Sequence, residues 1–433
     1  MSFPAYPTYK DSGIEWLGTL PSHWRLSRMR FVTDCLDGKR VPLNSEQRAD
    51  RQGHVPYWGA NSIMDFVQDA LFDEELALLG EDGAPFFDRT KPVAFHSAGP
   101  VWPNNHIHVL RPHSDVKAKY LVGILNVTDY AQFIDGSTRD KLTQSEMNNI
   151  PVPLPPDAEQ SAIVTFLDRE TAKIDDLVAE QQRLIVLLQE KRQAVISHAV
   201  TKGLDPTAPM KPSGLDWPTE VPAHWNVLPL TRVVRQFVDY RGATPNKVGE
   251  GVPLITATQI KRGRVDHSLD PVFITEEEYA SRMTRGFPAI GDLLLTTEAP
   301  LGEAALIEEE RVAPGQRIIL MKAERLWTTG KYLLYHFRSQ FGQNELLKRA
   351  SGSTASGIRA DRLRASAVIV PPLDEQAAIT SHVDGQICSF DEIEAAIAQQ
   401  VALLQERRAA LISAAVTGKI DVRQLVTVAV EAA

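Results

Sequence analysis

Cysteine is scarce in this chain of 433 residues, and long apolar runs are missing. Cys35 and Cys388 are the only two cysteines; they lie in different halves and have no metal-ligand spacing. They read as reduced, structural residues of a cytoplasmic protein. No hydrophobic stretch approaches the roughly 20 residues that span a bilayer. The opening Met1-Ser2-Phe3-Pro4-Ala5-Tyr6 lacks the basic-then-apolar layout of a secretory signal.

Catalytic signatures are missing too. No G-x-x-x-x-G-K-[ST] phosphate loop is present, and no G-x-G-x-x-G follows a strand. No Asn-Pro-Pro-aromatic or Asp-Pro-Pro-aromatic motif occurs, which argues against base methylation by this chain. Asp157 and Glu159 stand too close together for a metal-dependent nuclease motif, and helix N-capping explains them better. His106, His108 and His113 cluster, but no further ligand spacing accompanies them. They read as surface histidines alternating along a strand, with no metal site.

Positive charge is in short supply overall, with a net charge of −9. Its location matters more than its size. Residues 157–200 carry 8 acidic and 5 basic side chains, and residues 373–416 carry 7 and 2. Residues 226–366 hold 20 basic and 16 acidic groups, and residues 25–150 hold 14 and 17. The acidity therefore belongs mainly to two stretches, and neither intervening segment is strongly basic. A tight, purely electrostatic grip on phosphates by this chain alone is not expected.

What is present is repetition. Pro155-Pro156, Glu159-Gln160 and Ala199-Val200-Thr201 return 216 positions later as Pro371-Pro372, Glu375-Gln376 and Ala415-Val416-Thr417. Gly13-Ile14-Glu15-Trp16 and Pro21-Ser22-His23-Trp24 return 201 positions later as Gly214-Leu215-Asp216-Trp217 and Pro222-Ala223-His224-Trp225. The segments between are far less alike. Residues 157–200 place Ile163, Leu167, Ile174, Leu177, Leu184, Leu188 and Val195 on one helical stripe. Ile379, Val383, Phe390, Ile393, Leu404 and Leu411 do the same in residues 373–416. Neither run contains proline, and Gly385 is the only glycine in either. This is a coiled-coil seam, entered at Pro-Pro-acidic starts and stopped near Gly203 and Gly418. Forty-four helical residues reach about 66 Å. One amphipathic helix of that length cannot bury its stripe alone, so an antiparallel pair is expected.

The inserts read as mixed α/β. Strands are expected near Val93–Phe95, Ile107–Leu110, Val252–Ala257, Asp292–Thr297 and Arg317–Met321, and helices near Ala118–Leu125 and Lys331–Phe341.

With these features in view, the chain resembles the specificity (S) subunits of type I restriction–modification systems over nearly its whole length. The resemblance rests on the Trp-Leu-Gly…Pro-x-His-Trp openings (Trp16 to Trp24, echoed at Trp217 to Trp225). It rests also on the Gly-Ser-Thr turns at 136–138 and 352–354 and on the Pro-Pro-x-x-Glu-Gln helix entries. It implies an α+β fold: two mixed α/β target-recognition domains separated by two long antiparallel coiled-coil helices in a pseudo-twofold repeat. The implied boundaries are 1–156, 157–200, 201–372 and 373–416, with a tail at 417–433. It implies a non-catalytic, sequence-specific DNA-recognition subunit in which each domain reads half of a bipartite asymmetric site. The helices would set the spacer and dock two modification subunits that methylate adenine, and motor-nuclease subunits would join for cleavage. S-adenosylmethionine, ATP and magnesium would belong to those partners, with no cofactor in this chain. The rival reading is a coiled-coil scaffold that touches no DNA.

Base reading needs paired donors and acceptors in a groove. The candidate DNA contacts in the first insert are Tyr57, Trp58 and Asn61, although a Tyr-Trp pair more often packs in a core, with Asn104 and Asn105 as weaker candidates. In the second they are Thr258, Gln259 and Lys261, then Arg262 and Arg264, which fit a solvated hairpin equally well, with Thr296 and Thr297 as weaker candidates. Ser137, Thr138, Arg139, Ser353 and Thr354 offer donors for phosphate oxygens, the alternative being a hydrogen-bonded turn. Trp24 and Trp225 are expected to pack at the junction of domain and helix.

Overall fold

The computed structural model describes residues 3–134, 140–241, 244–351 and 357–425. The chain divides into two compact units, Met1–Gln182 with Ala398–Ala433, and Arg183–Ile397. Both long helices form, over Asp157–Lys202 and Leu373–Val416, so each unit contains part of both.

The first unit is built on a six-stranded sheet. In spatial order its strands are Thr33–Cys35, Ile107–Pro112, Phe72–Gly80, Ala94–Pro103, Gln52–Trp58 and Ile63–Val67. The strand Phe72–Gly80 shows why both faces are covered. Ala77 and Leu79 point into a core completed by the helix Ala118–Val127, while Leu76 and Leu78 point into a second cluster with Val101 and Val109. Side chains alternate along a strand, so a run buried on both faces is apolar throughout.

The second unit repeats the principle with a different sheet. Its strands run Val234–Asp239, Ile318–Ala323, Leu293–Thr297 and Leu301–Leu306 in spatial order. Leu293 and Leu295 join one core and Leu294 the other. The helix expected over Lys331–Phe341 is two helices, Gly330–Arg338 and Gln340–Arg349. Ser339 adopts an extended ψ of 157° and its hydroxyl caps the Gly342 N–H, which ends one helix and starts the next.

Around these unlike sheets the frame is the same. A short strand precedes each long helix: Pro151–Leu154 pairs with Arg25–Arg28, and Ala367–Val370 with Asn226–Pro229, both antiparallel. In the first unit Ile163 and Phe166, near the start of one long helix, cluster with Leu411 and Ala415, near the end of the other. Asp175 meets Arg408 there at 2.9 Å. In the second unit Ile196 and Val200 cluster with Ile379 and Val383, and Arg192 meets Asp391 at 2.7 Å. The helical segments are antiparallel in each unit.

The buried seam is narrower than the sequence stripe. Along the second long helix the least exposed positions step by four and three residues through Val383, Ile387, Phe390, Glu394 and Ile397, a heptad pattern. Leu177, Leu184 and Ile393, expected in the seam, are instead 51%, 40% and 43% exposed. A two-helix contact covers one strip of each surface, and these residues lie beside it.

Candidate nucleic-acid interface

The repeated motifs assemble the joint between helix and domain. Glu159 lies in the first turn of its helix, where the helix dipole favours a carboxylate. It accepts from Trp24 Nε1 at 2.9 Å and from the Tyr6 hydroxyl at 3.2 Å, and contacts His23 Nε2 at 2.7 Å. Burial and this carboxylate push the Tyr6 hydroxyl well above its usual pKa. In the second unit Glu375 accepts from Trp225 Nε1 at 2.9 Å and contacts His224 Nε2 at 2.6 Å. The neighbouring glutamines act alike. Gln160 Oε1 accepts from Lys117 N, and its amide donates to the Asp115 and Pro155 carbonyls. Gln376 accepts from the Thr328 hydroxyl and donates to the Trp327 and Pro371 carbonyls.

The helix ends close the joint. The Tyr120 hydroxyl bridges the Pro153 carbonyl, at 2.9 Å, and Val416, the last residue of the second long helix, at 3.1 Å. Tyr332 does the same between Ile369, at 2.9 Å, and Val200, at 3.4 Å. Gly203 and Gly418 follow the helices with φ of +77° and +73°. A Cβ on Gly203 would stand 3.0 Å from the Trp225 ring, and one on Gly418 would stand 2.4 Å from Pro21. The tryptophans are thus packed at the junction, as the sequence implies.

The expected DNA contacts are found separately in each unit. In the first unit the structure gathers loops at one end of the sheet. Asn104 N donates to the Trp58 carbonyl, Gly59 N to Ser62, and the Asn61 amide to the Gly83 carbonyl at 3.1 Å. Asn61 and Asn105 are exposed there, and Trp58 is half-buried against Phe95 with ring centroids 4.7 Å apart. Tyr57 is a correction: it is 1% exposed, and its hydroxyl accepts from Leu43 N and donates to the Leu43 carbonyl. Asn104 is another; it is buried, with its Oδ1 accepting from His106 N at 2.7 Å.

The second unit corrects more of the expectation. Gln259 is 2% exposed; its Oε1 accepts from Thr256 N at 2.8 Å and its amide donates to the Asp270 carbonyl. It closes a capping box instead of facing solvent. Thr296 and Thr297 are buried, with hydroxyls bonded to Glu303 N and the Arg317 carbonyl. Thr258 is exposed, 2.9 Å from the Thr256 hydroxyl. Arg262 is tied to Glu394 on the long helix at 2.7 Å. Lys261 and Arg264 are exposed on the same short hairpin. Ser137, Thr138, Arg139, Ser353 and Thr354 lie outside the described residues.

Three further arginines gather at the end of the second sheet. Arg317 meets Glu298 at 3.2 Å, Arg241 pairs with Asp239, and Arg285 donates to the carbonyls of Asp239 and Arg241. They come from separated segments, so no local motif announces them. His108 is a further correction. It is 1% exposed and not a surface residue. Its Nδ1 lies 2.6 Å from Asp37, and the Leu142 carbonyl lies 2.9 Å from its Nε2. Asp37, Glu81 and His108 are grouped closely enough for metal ligands. Arg40 lies among them, 2.6 Å from Glu81 and 3.4 Å from Asp37, and supplies the positive charge itself. Burial alone would raise the Asp37 carboxyl; His108, the Val109 N–H and Arg40 together hold it below its ordinary value.

Comparison with known proteins decides what this frame belongs to. The type I restriction modification DNA specificity domain matches residues 21–185 and again 236–403. The chain belongs to the type I restriction–modification specificity family. It is 25% identical over 358 residues to a putative type I restriction enzyme specificity subunit, S.HindORF215P, of Haemophilus influenzae, covering 82% of this chain and 85% of that one. It is 23% identical to the EcoKI specificity subunit of Escherichia coli, covering 93% and 90%. A chain solved in work on complex assembly and conformational transition of the type I R-M system has the same fold, with a TM-score of 0.63 at 16% identity, covering 92% and 98%. The protein is a DNA specificity subunit, the non-catalytic recognition component of a restriction–modification complex. Among the described residues no helix is long and apolar enough to cross a membrane.

Proposed function

We propose that each unit of this specificity subunit reads one half of a bipartite, asymmetric DNA site through the loops at the end of its sheet. In the first unit Asn61 and Asn105 supply exposed amides suited to adenine edges, with Trp58 beside them. In the second, Arg317, Arg241 and Arg285 supply guanidinium groups for guanine edges or phosphates, with Thr258 exposed on a separate loop. The sequence-assigned hydroxyls of Ser137, Thr138, Ser353 and Thr354, with Arg139, complete the phosphate contacts. The reading domains are 1–156 and 201–372, and the helices 157–200 and 373–416 hold the spacer.

One observation carries this reading. The frame recurs down to single hydrogen bonds, Trp24 to Glu159 and Trp225 to Glu375, while the sheets it carries differ. Identical frames suit identical partners, and unlike inserts suit unlike half-sites. The partners are two modification subunits that bring S-adenosylmethionine and methylate adenine. Motor-nuclease subunits with ATP and magnesium join for cleavage, in the cytoplasm. Exposed Leu177 and Leu403 in the first unit, and Val186 and Leu187 in the second, offer apolar helix surface for docking.

The test is half-site binding by the chain with its modification subunit. Asn61→Ala or Asn105→Ala relaxes one half of the recognised sequence and leaves the other intact. Arg317→Ala acts on the other half. Equal loss at both halves by folded variants contradicts the assignment.

A further inference from the structure

Six cations line a cavity of about 860 Å³ within the second unit: Arg192, Lys261, Arg262, Arg264, Lys331 and Arg338. Cavities of this order hold nucleotide-sized ligands. Three of the six are already neutralised. Arg192 pairs with Asp391 at 2.7 Å, Arg262 with Glu394 at 2.7 Å, and Lys331 with Asp384. Asp266 and Glu308 also face the cavity; the Ser268 N–H and hydroxyl, with Lys261 nearby, hold the Asp266 carboxyl below its ordinary range. Lys261, Arg264 and Arg338 have no ion pair among the described residues.

Arg338 is the most telling of these. It ends the helix Gly330–Arg338, and its guanidinium lies over the Tyr335 ring at 6.0 Å. The hairpin turn is shaped around it. Arg262 and Gly263 have φ of 51° and 90°, and a Cβ at Gly263 would stand 2.6 Å from Arg338 Nη1. The left-handed backbone at Gly263 favours glycine, and the turn lies against the guanidinium. Burial, and then the neighbouring Arg192, pull its pKa down. No hydrogen bond from this guanidinium is formed among the described residues. Its donors remain accessible and are available to a ligand in the cavity. Tyr120 and Tyr332 correspond at 212 positions, which matches Arg338 with Asn126 in the first unit. Asn126 instead caps the Val93 and Ala94 N–H groups. The feature therefore belongs to the second unit and not to the shared frame.

We propose that this cavity is a phosphate-binding site, with Arg338 as its fork and Arg264 and Lys261 as its other two cations. Three cations lining one cavity suit the charge and the tetrahedral oxygens of a phosphate better than a single carboxylate. The phosphate is either free, as orthophosphate or a nucleotide, or part of a DNA backbone. The free-phosphate case does not depend on the DNA-recognition reading.

Cys388 supplies the readout, because it lines the cavity and is exposed. Cys35 is half-buried, and burial pushes its thiol up to about 11, so it reacts slowly. The full chain is labelled with a maleimide while orthophosphate is titrated at constant ionic strength. Orthophosphate is expected to slow Cys388 labelling saturably. Arg338→Gln weakens that protection about tenfold or more, Arg338→Lys retains part of it, and Lys348→Gln, outside the cavity, retains all of it. Should Arg338→Gln melt early, Lys261→Gln with Arg264→Gln gives the same reading at exposed positions. A duplex arm, run with the modification subunit, separates the sources. Protection by duplex, with a salt slope lowered by about one in Arg338→Gln, assigns the phosphate to DNA. Protection by orthophosphate alone assigns it to a free ligand. No protection by either, or protection undiminished in the folded variants, overturns the proposal.

Discussion

Trp24 donates its indole N–H to the Glu159 carboxylate at 2.9 Å, joining the opening motif of the chain to the first turn of a helix 135 positions later. The same contact recurs between Trp225 and Glu375. Trp24 and Trp225 are both fully buried, so each indole depends on that one acceptor. Glu159→Ala is expected to leave a buried donor unpaired and to cost about 1–3 kcal/mol. Chemical denaturation of the single and double variants checks it, with Glu375→Ala showing a comparable loss in the second unit.

The helix stops give a second expectation. Gly203 and Gly418 both need the left-handed backbone, and both lie against the tryptophan of the joint. Gly203→Ala should cost about 1–2 kcal/mol from backbone strain. Gly418→Ala should cost more, because its Cβ would meet the Pro21 ring at 2.4 Å. Equal melting shifts would contradict the close packing at Pro21.

Protonation supplies a third. His336 is fully buried between Phe337 and Phe341, its ring nitrogens are unpartnered, and burial lowers its pKa to about 3. The unfolded chain takes up a proton near pH 6.5, whereas the folded chain resists it until about 3. Stability from this group is therefore intact above about 6.5 and falls as pH drops toward 3. Between pH 7 and pH 5 the loss should be about 2 kcal/mol. His336→Leu should remove that part of the pH dependence, measured by urea denaturation at both values.

Gln259 supplies a fourth. It closes a capping box and bonds the Asp270 carbonyl from a buried position. Gln259→Ala should therefore destabilise the second unit by about 1–2 kcal/mol. Once the variant is folded, its base preference should be unchanged. A changed recognition sequence in the folded variant would restore Gln259 as a reader.

The frame was legible in the sequence because its parts are local and repeated. Pro-Pro-x-x-Glu-Gln starts and glycine stops place both long helices within two residues of their observed ends. The seam was read less well. Leu177, Leu184 and Ile393 fit a helical stripe, but a two-helix contact is only one strip wide. The DNA-facing residues were hardest. Tyr57 lies in a strand and Gln259 in a capped turn, and their partners, Leu43 and Thr256, reveal both as structural. Arg241, Arg285 and Arg317 escaped notice because the sheet, not the sequence, brings them together.

The most direct test of the account is a map of methylated adenines in a host carrying this chain with its modification subunit. One asymmetric motif of two short defined parts is expected, separated by a fixed run of unspecified bases. Adding one helical turn to either long helix should change that run. A continuous or symmetric motif, or an unchanged spacer in the insertion variant, would contradict it.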